Sequence, residues 1–235
     1  IGPREALGKL RDLRDIVGLI GIYQIVVPLV LCFLLPFTGL SMTLVTAITL
    51  MAAAPSISGS PNLTIMVGRD PAPALRMLIA GTAVVPATAF IVFLFVPAFG
   101  SAYNVAAAAL RLLVLIGAAA AFAFALRLFV FREATDRFKN SVDGLSALAM
   151  AGIVIGLMTA IGPALRQDPI QVAFTLLIAC MASFGLQLAA YFLLSKSKSS
   201  SSRVGHSIIS GCRNNALFIT ALPAAVTDPL LLYIG

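Results

Sequence analysis

Charge is scarce in this chain. Asp, Glu, Lys and Arg together make up 11% of it, against about a quarter in an ordinary soluble domain, and a mean hydropathy of +1.04 accompanies the deficit. A water-soluble fold is excluded on that ground. Acids are the scarcest: all nine, Glu5, Asp12, Asp15, Asp70, Glu133, Asp136, Asp143, Asp168 and Asp228, fall outside or at the edges of the apolar runs. No span therefore holds a carboxylate pair for acid–base chemistry. The single histidine, His206, lies at the edge of an apolar run, where a lone imidazole reads as a surface residue. Cys32, Cys180 and Cys212 sit singly in apolar runs without metal-ligand spacing, and read as small packing residues rather than a disulfide framework. There is no glycine-rich phosphate loop after a strand and no signal-peptide pattern at the start. These absences argue against an enzyme, a bound metal or other cofactor, and transport driven by nucleotide on this chain alone.

What is abundant is apolar length. Eight segments separate at the punctuation: residues 16–35, 40–67, 71–97, 104–131, 142–162, 170–194, 205–223, and one that starts near 229. Crossing about 30 Å of hydrocarbon takes roughly 20 apolar residues as a helix, so an all-α polytopic membrane protein is expected. Successive loops alternate in Lys and Arg content, with thirteen of the sixteen on one side: Arg4, Lys9, Arg11 and Arg14; Arg69 and Arg76; Arg127, Arg132, Arg137 and Lys139; Lys196, Lys198 and Arg203. The other side has only Arg166. Positive loops face the cytoplasm, which predicts a multi-pass protein of the cell (inner) membrane with residues 1–15 cytoplasmic, and explains a net charge of +7 without a nucleic-acid partner. The stretch "SKSKSSSSR" reads as a flexible cytoplasmic link. Arg111 and Arg213 remain inside apolar runs; Arg111, near the end of its run, is expected to snorkel to the interface.

Two segments are interrupted. Pro55, Gly59 and Pro61 break 40–67, and "SGCRNN" breaks 205–223, because proline removes a backbone donor and glycine weakens a helix. Freed backbone groups at membrane depth need protein or a polar cavity to satisfy them. A long uninterrupted segment precedes each broken one, and the two broken segments run in opposite directions across the membrane. Paired interrupted spans of this kind are the sequence footprint of an inverted-repeat transporter fold with two discontinuous crossing helices, and they point to its binding site. The bland reading is that proline and glycine merely kink two helices.

The stretches "LRDLRDIVGLIGIYQIVVPL", "AAAPSISGSPNLTIMVGRDPAPAL" and "GHSIISGCRNNALFITAL" resemble the bile acid:sodium symporter family. The resemblance implies ten helices in two inverted five-helix repeats, with the fourth and ninth broken near the sodium and substrate sites. On that match 16–35 is the third helix, 40–67 the fourth, 205–223 the ninth, and the segment near 229 begins the tenth. About seven complete spans of ten are present, and the first two are expected to precede this chain. Residues 1–97 then hold the first-repeat core helices, 98–162 the panel helices, and 163–235 the second-repeat core. The family's ninth-helix motif, Glu-x-Gly-x-Gln-Asn, reads "ISGCRN" here. Gly211 and Asn214 match, but Ile209 takes the Glu position and Arg213 the Gln position. The Ser-Asn pair of the fourth helix is Pro61-Asn62, and Gln24 stands four residues before Pro28 where the family's Gln stands five before its Met-Pro.

An arginine is always charged and has no acceptor, so it repels a cation from the place where the family binds sodium. The expectation is that Arg213 replaces the sodium ion as a built-in cation holding the broken helices together. Its partners are backbone carbonyls at half-helix C-termini, an acid elsewhere, or an anionic ligand, since intramembrane charges are costly and functional by default. Half-helix N-termini near Asn62 and Asn214 add positive dipole ends. The function implied is a secondary transporter of a small organic anion, a carboxylate, by alternating access in the lipid bilayer. Arg213, Asn214, Asn215, Asn62, Ser60, Thr64 and Gln24 are the candidate substrate-binding residues, with Ser56 and Ser58 as further pocket hydroxyls. An ordinary sodium-coupled symporter, an anion channel, and a non-transporting membrane sensor are the competing readings, and a homo-oligomer stays open.

Overall fold

The computed structural model describes residues 10–129, 136–195 and 200–234. Among them the chain is helical, with no strand beyond one isolated bridge, and five helical stretches are long and apolar enough to cross a membrane: Arg14–Thr38, Ala72–Phe93, Ala102–Leu126, Ala147–Gln167 and Pro169–Leu193. This is an all-α membrane protein. In chain order the elements are α1 (Leu10–Gly21), a π turn (Ile22–Val26), α2 (Val27–Leu34), α3 (Met42–Ala53), α4 (Ser60–Met66), α5 (Ala72–Phe93), α6 (Ala102–Phe129), α7 (Asp136–Leu157), α8 (Ile161–Gln167), α9 (Pro169–Leu193), α10 (Ser200–Gly211), α11 (Asn215–Ala221), α12 (Ala224–Thr227) and α13 (Leu231–Ile234).

Local chemistry sets the ends. Gly39, at φ +78°, takes the left-handed turn that closes the first span. Ser41 then caps α3 by accepting from Leu44 N at 3.3 Å. Asp168 caps α9 by accepting from Gln171 N at 2.9 Å, with Pro169 in the first turn, where its missing N–H costs nothing. Two elements differ from expectation. The run at 142–162 continues as helix to Gln167, so Arg166 lies in a last helical turn, where its charge suits the dipole. The serine-rich link is helical from Ser200 onward; Lys196 and Lys198 lie outside the described residues, as do Arg4, Lys9 and Arg132. Arg111 is exposed on α6.

Both interrupted segments break, and in the same order. Each has a longer helix, a short non-helical stretch, then a seven-residue helix: α3 and α4 on one side, α10 and α11 on the other. The nineteen helical residues of α3 and α4 rise about 28 Å, the depth of a bilayer core.

Two apolar clusters form the core. One joins α2, α3, α5, α6 and α11 through residues such as Leu50, Ala53, Val92 and Phe218, with Phe93 stacked on Phe99 at 4.4 Å and edge-on to Phe218 at 5.3 Å. The other joins α1, α5, α9 and α10 through Ile16, Ile20, Tyr23, Met77, Ala190 and Ile209. By contrast α6, α7 and α9 leave almost all of their apolar windows uncovered by protein, a surface suited to lipid tails.

α10 lies against α9 through small residues. Ser207 Oγ donates to Gln187 O at 2.6 Å, Ser210 Oγ to Leu186 O at 2.9 Å, and Ser183 Oγ to Gly211 O at 3.0 Å. Small residues let membrane helices approach closely enough for such bonds. A Cβ at Gly211 would run into the Ser183 carbonyl oxygen and the Gln187 side chain, whereas one at Gly205 would meet Ala74 and Pro73 at 3.6–3.8 Å, ordinary contact. Gly211→Ala is therefore expected to destabilise the protein by about 1–3 kcal/mol, and Gly205→Ala to leave it unchanged or more stable. Thermal unfolding in detergent reads the difference, and equal midpoints for the two variants would contradict this packing.

Candidate functional site

The two breaks touch. Ser56 and Arg213 form an isolated antiparallel bridge, in which Ile57 N donates to Cys212 O at 3.0 Å and Asn214 N donates to Pro55 O at 2.8 Å. Backbone that each helix loses at its break is thus satisfied by the other, as membrane depth requires. Ser60 Oγ bonds Ser56 Oγ and donates to Ile57 O, and Thr64 Oγ1 donates to Ser60 O at 2.9 Å. Both hydroxyls serve the first break internally.

Arg213 takes three further carbonyls. Its Nε donates to Ser210 O at 2.9 Å, Nη1 to Ala54 O at 3.1 Å, and Nη2 to Tyr23 O at 3.4 Å. Each is free for a local reason. The Ser210 carbonyl would in a continuous helix accept from Asn214 N, which is committed to Pro55. Ala54 is the extended C-cap of α3. The Tyr23 carbonyl loses its α-helical donor because Val27 N bonds Ile22 O in the π turn, and its π-helical donor would be Pro28, which has no N–H. The guanidinium carbon also lies 5.6 Å from the Tyr23 ring centroid, within cation–π range.

The electrostatics favour a cation here. Both α3 and α10 end at the crossover, and a helix C-terminus carries about half a negative charge. Among the described side chains no carboxylate shares the duty: Asp15, Asp70, Asp168 and Asp228 are all exposed, and Ile209, at the position where the resemblance expects an acid, is 2% exposed in an apolar cluster. Arg213 itself is 8% exposed.

Beside it lies a cavity of about 400 Å³ between α3, α9, the crossover and α13. Ile48, Met51, Ala179 and Phe184 give it an apolar wall, while Arg213, Asn215, Cys212, Ser183 and Thr175 supply polar groups. Of the sequence candidates, only Arg213 and Asn215 line this space. Asn215 Oδ1 is buried without a hydrogen-bond partner. Asn214 contributes its backbone N–H, and no side-chain cap forms at α4 or α11. Asn62 is exposed. Gln24 is buried elsewhere: Nε2 donates to Gly81 O at 3.2 Å and Oε1 accepts from Thr88 Oγ1 at 2.8 Å, which clips the first span to α5. Ser60 and Thr64 are fully buried and outside the cavity lining.

The environments of the other singled-out residues also differ from expectation. His206 is 5% exposed, not a surface residue, because α1 and α5 both close over it. Cys32 is a packing residue, but Cys180 is exposed on α9. Half-helix carbonyls were expected as partners of Arg213, and Ala54 O and Ser210 O are of that kind; the Tyr23 carbonyl, freed five residues before Pro28, was not expected. No protein-family model matches the chain, and neither does any curated protein.

Proposed function

We propose that this protein is a secondary transporter for an organic anion, a carboxylate with an apolar body, of the bile acid:sodium symporter type, with Arg213 in the place of the sodium ion. The observation that carries this reading is that Arg213 is both the tie at the crossover and part of the cavity wall. A guanidinium has five N–H groups. Three hold carbonyls from three separate segments, which leaves two for an anion in the cavity. A fixed guanidinium among carbonyl oxygens does the positional work of a bound cation, and its charge repels a second one.

The matching order of the two broken spans, a longer helix followed by a seven-residue one, and their antiparallel contact support an inverted repeat. In this reading residues 98–162 form a panel against which the remaining helices rock, in the inner membrane, with the lysine- and arginine-rich loops cytoplasmic.

The test is thermal unfolding of the protein in detergent with acetate, butyrate and hexanoate at constant ionic strength, and with hexanamide as the uncharged counterpart. A ligand at 100 times its dissociation constant stabilises the folded state by about 2.7 kcal/mol. Hexanoate is expected to stabilise and hexanamide not, with the response lost in Arg213→Gln. A shift by hexanamide equal to that by hexanoate, or none by any carboxylate, sinks the reading.

A further inference from the structure

We propose that His206 is a proton-binding site whose occupancy is felt at the crossover. It is the chain's one histidine, and it lines a cavity of about 80 Å³ with Asp15 of α1, Arg76 of α5 and Ser202 of α10. None of the four residues is without a partner. An imidazole, which ordinarily changes charge between pH 5 and 8, thus shares a cavity with a carboxylate of one helix and a guanidinium of another.

A proton added there creates a buried cation that Asp15 attracts and Arg76 repels. Because the two neighbours stand on different helices, the new force acts on the position of α10 and not only on a rotamer. α10 cannot absorb it by sliding. It packs on α5, where Gly205 faces Pro73 and Ala74 with room for no more than a methyl group between them, and Ser207 and Ser210 tie its other side to α9. Five residues beyond His206, about 7.5 Å along the axis, α10 ends at Gly211, and the carbonyls of Ser210 and Cys212 enter the crossover directly.

Among the described side chains, the other titratable and charged groups around α10, with Arg69 and Asp70 before α5 exposed, leave His206 as the group that switches. Arg203 is held by Tyr191 of α9, donating to its hydroxyl at 3.0 Å and lying 4.3 Å over its ring. α4, also packed on α10, carries no titratable side chain. Arg76 is the one charged residue of α5, and Arg14 of α1 is exposed.

Cys212, in the wall of the crossover cavity, is a native reporter. In the full chain with Cys32→Ser and Cys180→Ser, its rate of reaction with a methanethiosulfonate reagent is measured from pH 5.5 to 8, with His206→Gln run in parallel to cancel the thiol's own ionisation. The rate ratio between the two proteins is expected to change at least threefold through a single step. Histidine labelled with carbon-13, in protein purified without a histidine tag, gives one imidazole signal in magnetic resonance; its midpoint should coincide with that step and move in Asp15→Asn. A flat ratio overturns the proposal, and so does an imidazole that fails to titrate between pH 5 and 8. The resonance measurement needs no substitution at 206, and His206→Asn provides a second reference if His206→Gln does not fold.

Discussion

Replacing Arg213 with methionine is expected to lower stability by about 3–5 kcal/mol, the cost of removing one side of a buried charged arrangement. The substitution keeps an apolar side chain of similar reach and removes every donor. Carbonyls of Tyr23, Ala54 and Ser210 then face the interior unpaired, at about 1–3 kcal/mol each, and two helix C-termini lose the charge that offsets their dipoles. Relief from burying a guanidinium returns part of that cost, which is why the net figure sits at the lower end of the sum. Arg213→Lys should fall between the two, because a single ammonium nitrogen cannot span three carbonyls from separate segments as the forked guanidinium does. Unfolding midpoints in detergent check both. A loss below about 1 kcal/mol in Arg213→Met would show that the crossover holds without its cation.

The second large effect concerns the cavity. Ala179 lies half-buried on α9 in the wall of the 400 Å³ space, so Ala179→Trp projects an indole into it. Stability should change by no more than about 1 kcal/mol, since the added ring has room and overpacking is the usual source of cost. Affinity for hexanoate should fall tenfold or more, read as loss of the ligand-induced shift in unfolding temperature. If hexanoate stabilises the variant as well as the parent, the carboxylate binds somewhere else.

How much of this was legible in the sequence follows from which physical signals are local. The apolar runs and the two breaks were, because Pro55, Gly59, Pro61 and the polar "SGCRNN" are each sufficient to stop a helix in lipid. Arg213 as a cation tying half-helix C-termini together was also legible, since an intramembrane charge without an available acid has few partners left to it. Its third partner was not. The Tyr23 carbonyl is freed by a π turn joined to Pro28, and that combination depends on a hydrogen-bond register that composition does not reveal. Gln24 and Asn62 were placed near the ligand by resemblance, yet Gln24 clips two helices together and Asn62 is exposed: residue type in a motif says that a side chain is polar, and the helix rotation decides where it points. His206 looked superficial for a similar reason, since an apolar run says where a helix enters the membrane but not which neighbours close over its end.

The central claim is that Arg213 stands where a coupling cation would otherwise bind. It is tested most directly by thermal unfolding of the wild-type protein and Arg213→Gln in detergent, each with sodium chloride against choline chloride at constant ionic strength. The wild type should be indifferent to sodium. The variant, with three carbonyl oxygens and a glutamine oxygen around the vacated space, should be stabilised by it. Stabilisation of the wild type by sodium would contradict the claim and return this protein to an ordinary sodium-coupled mechanism.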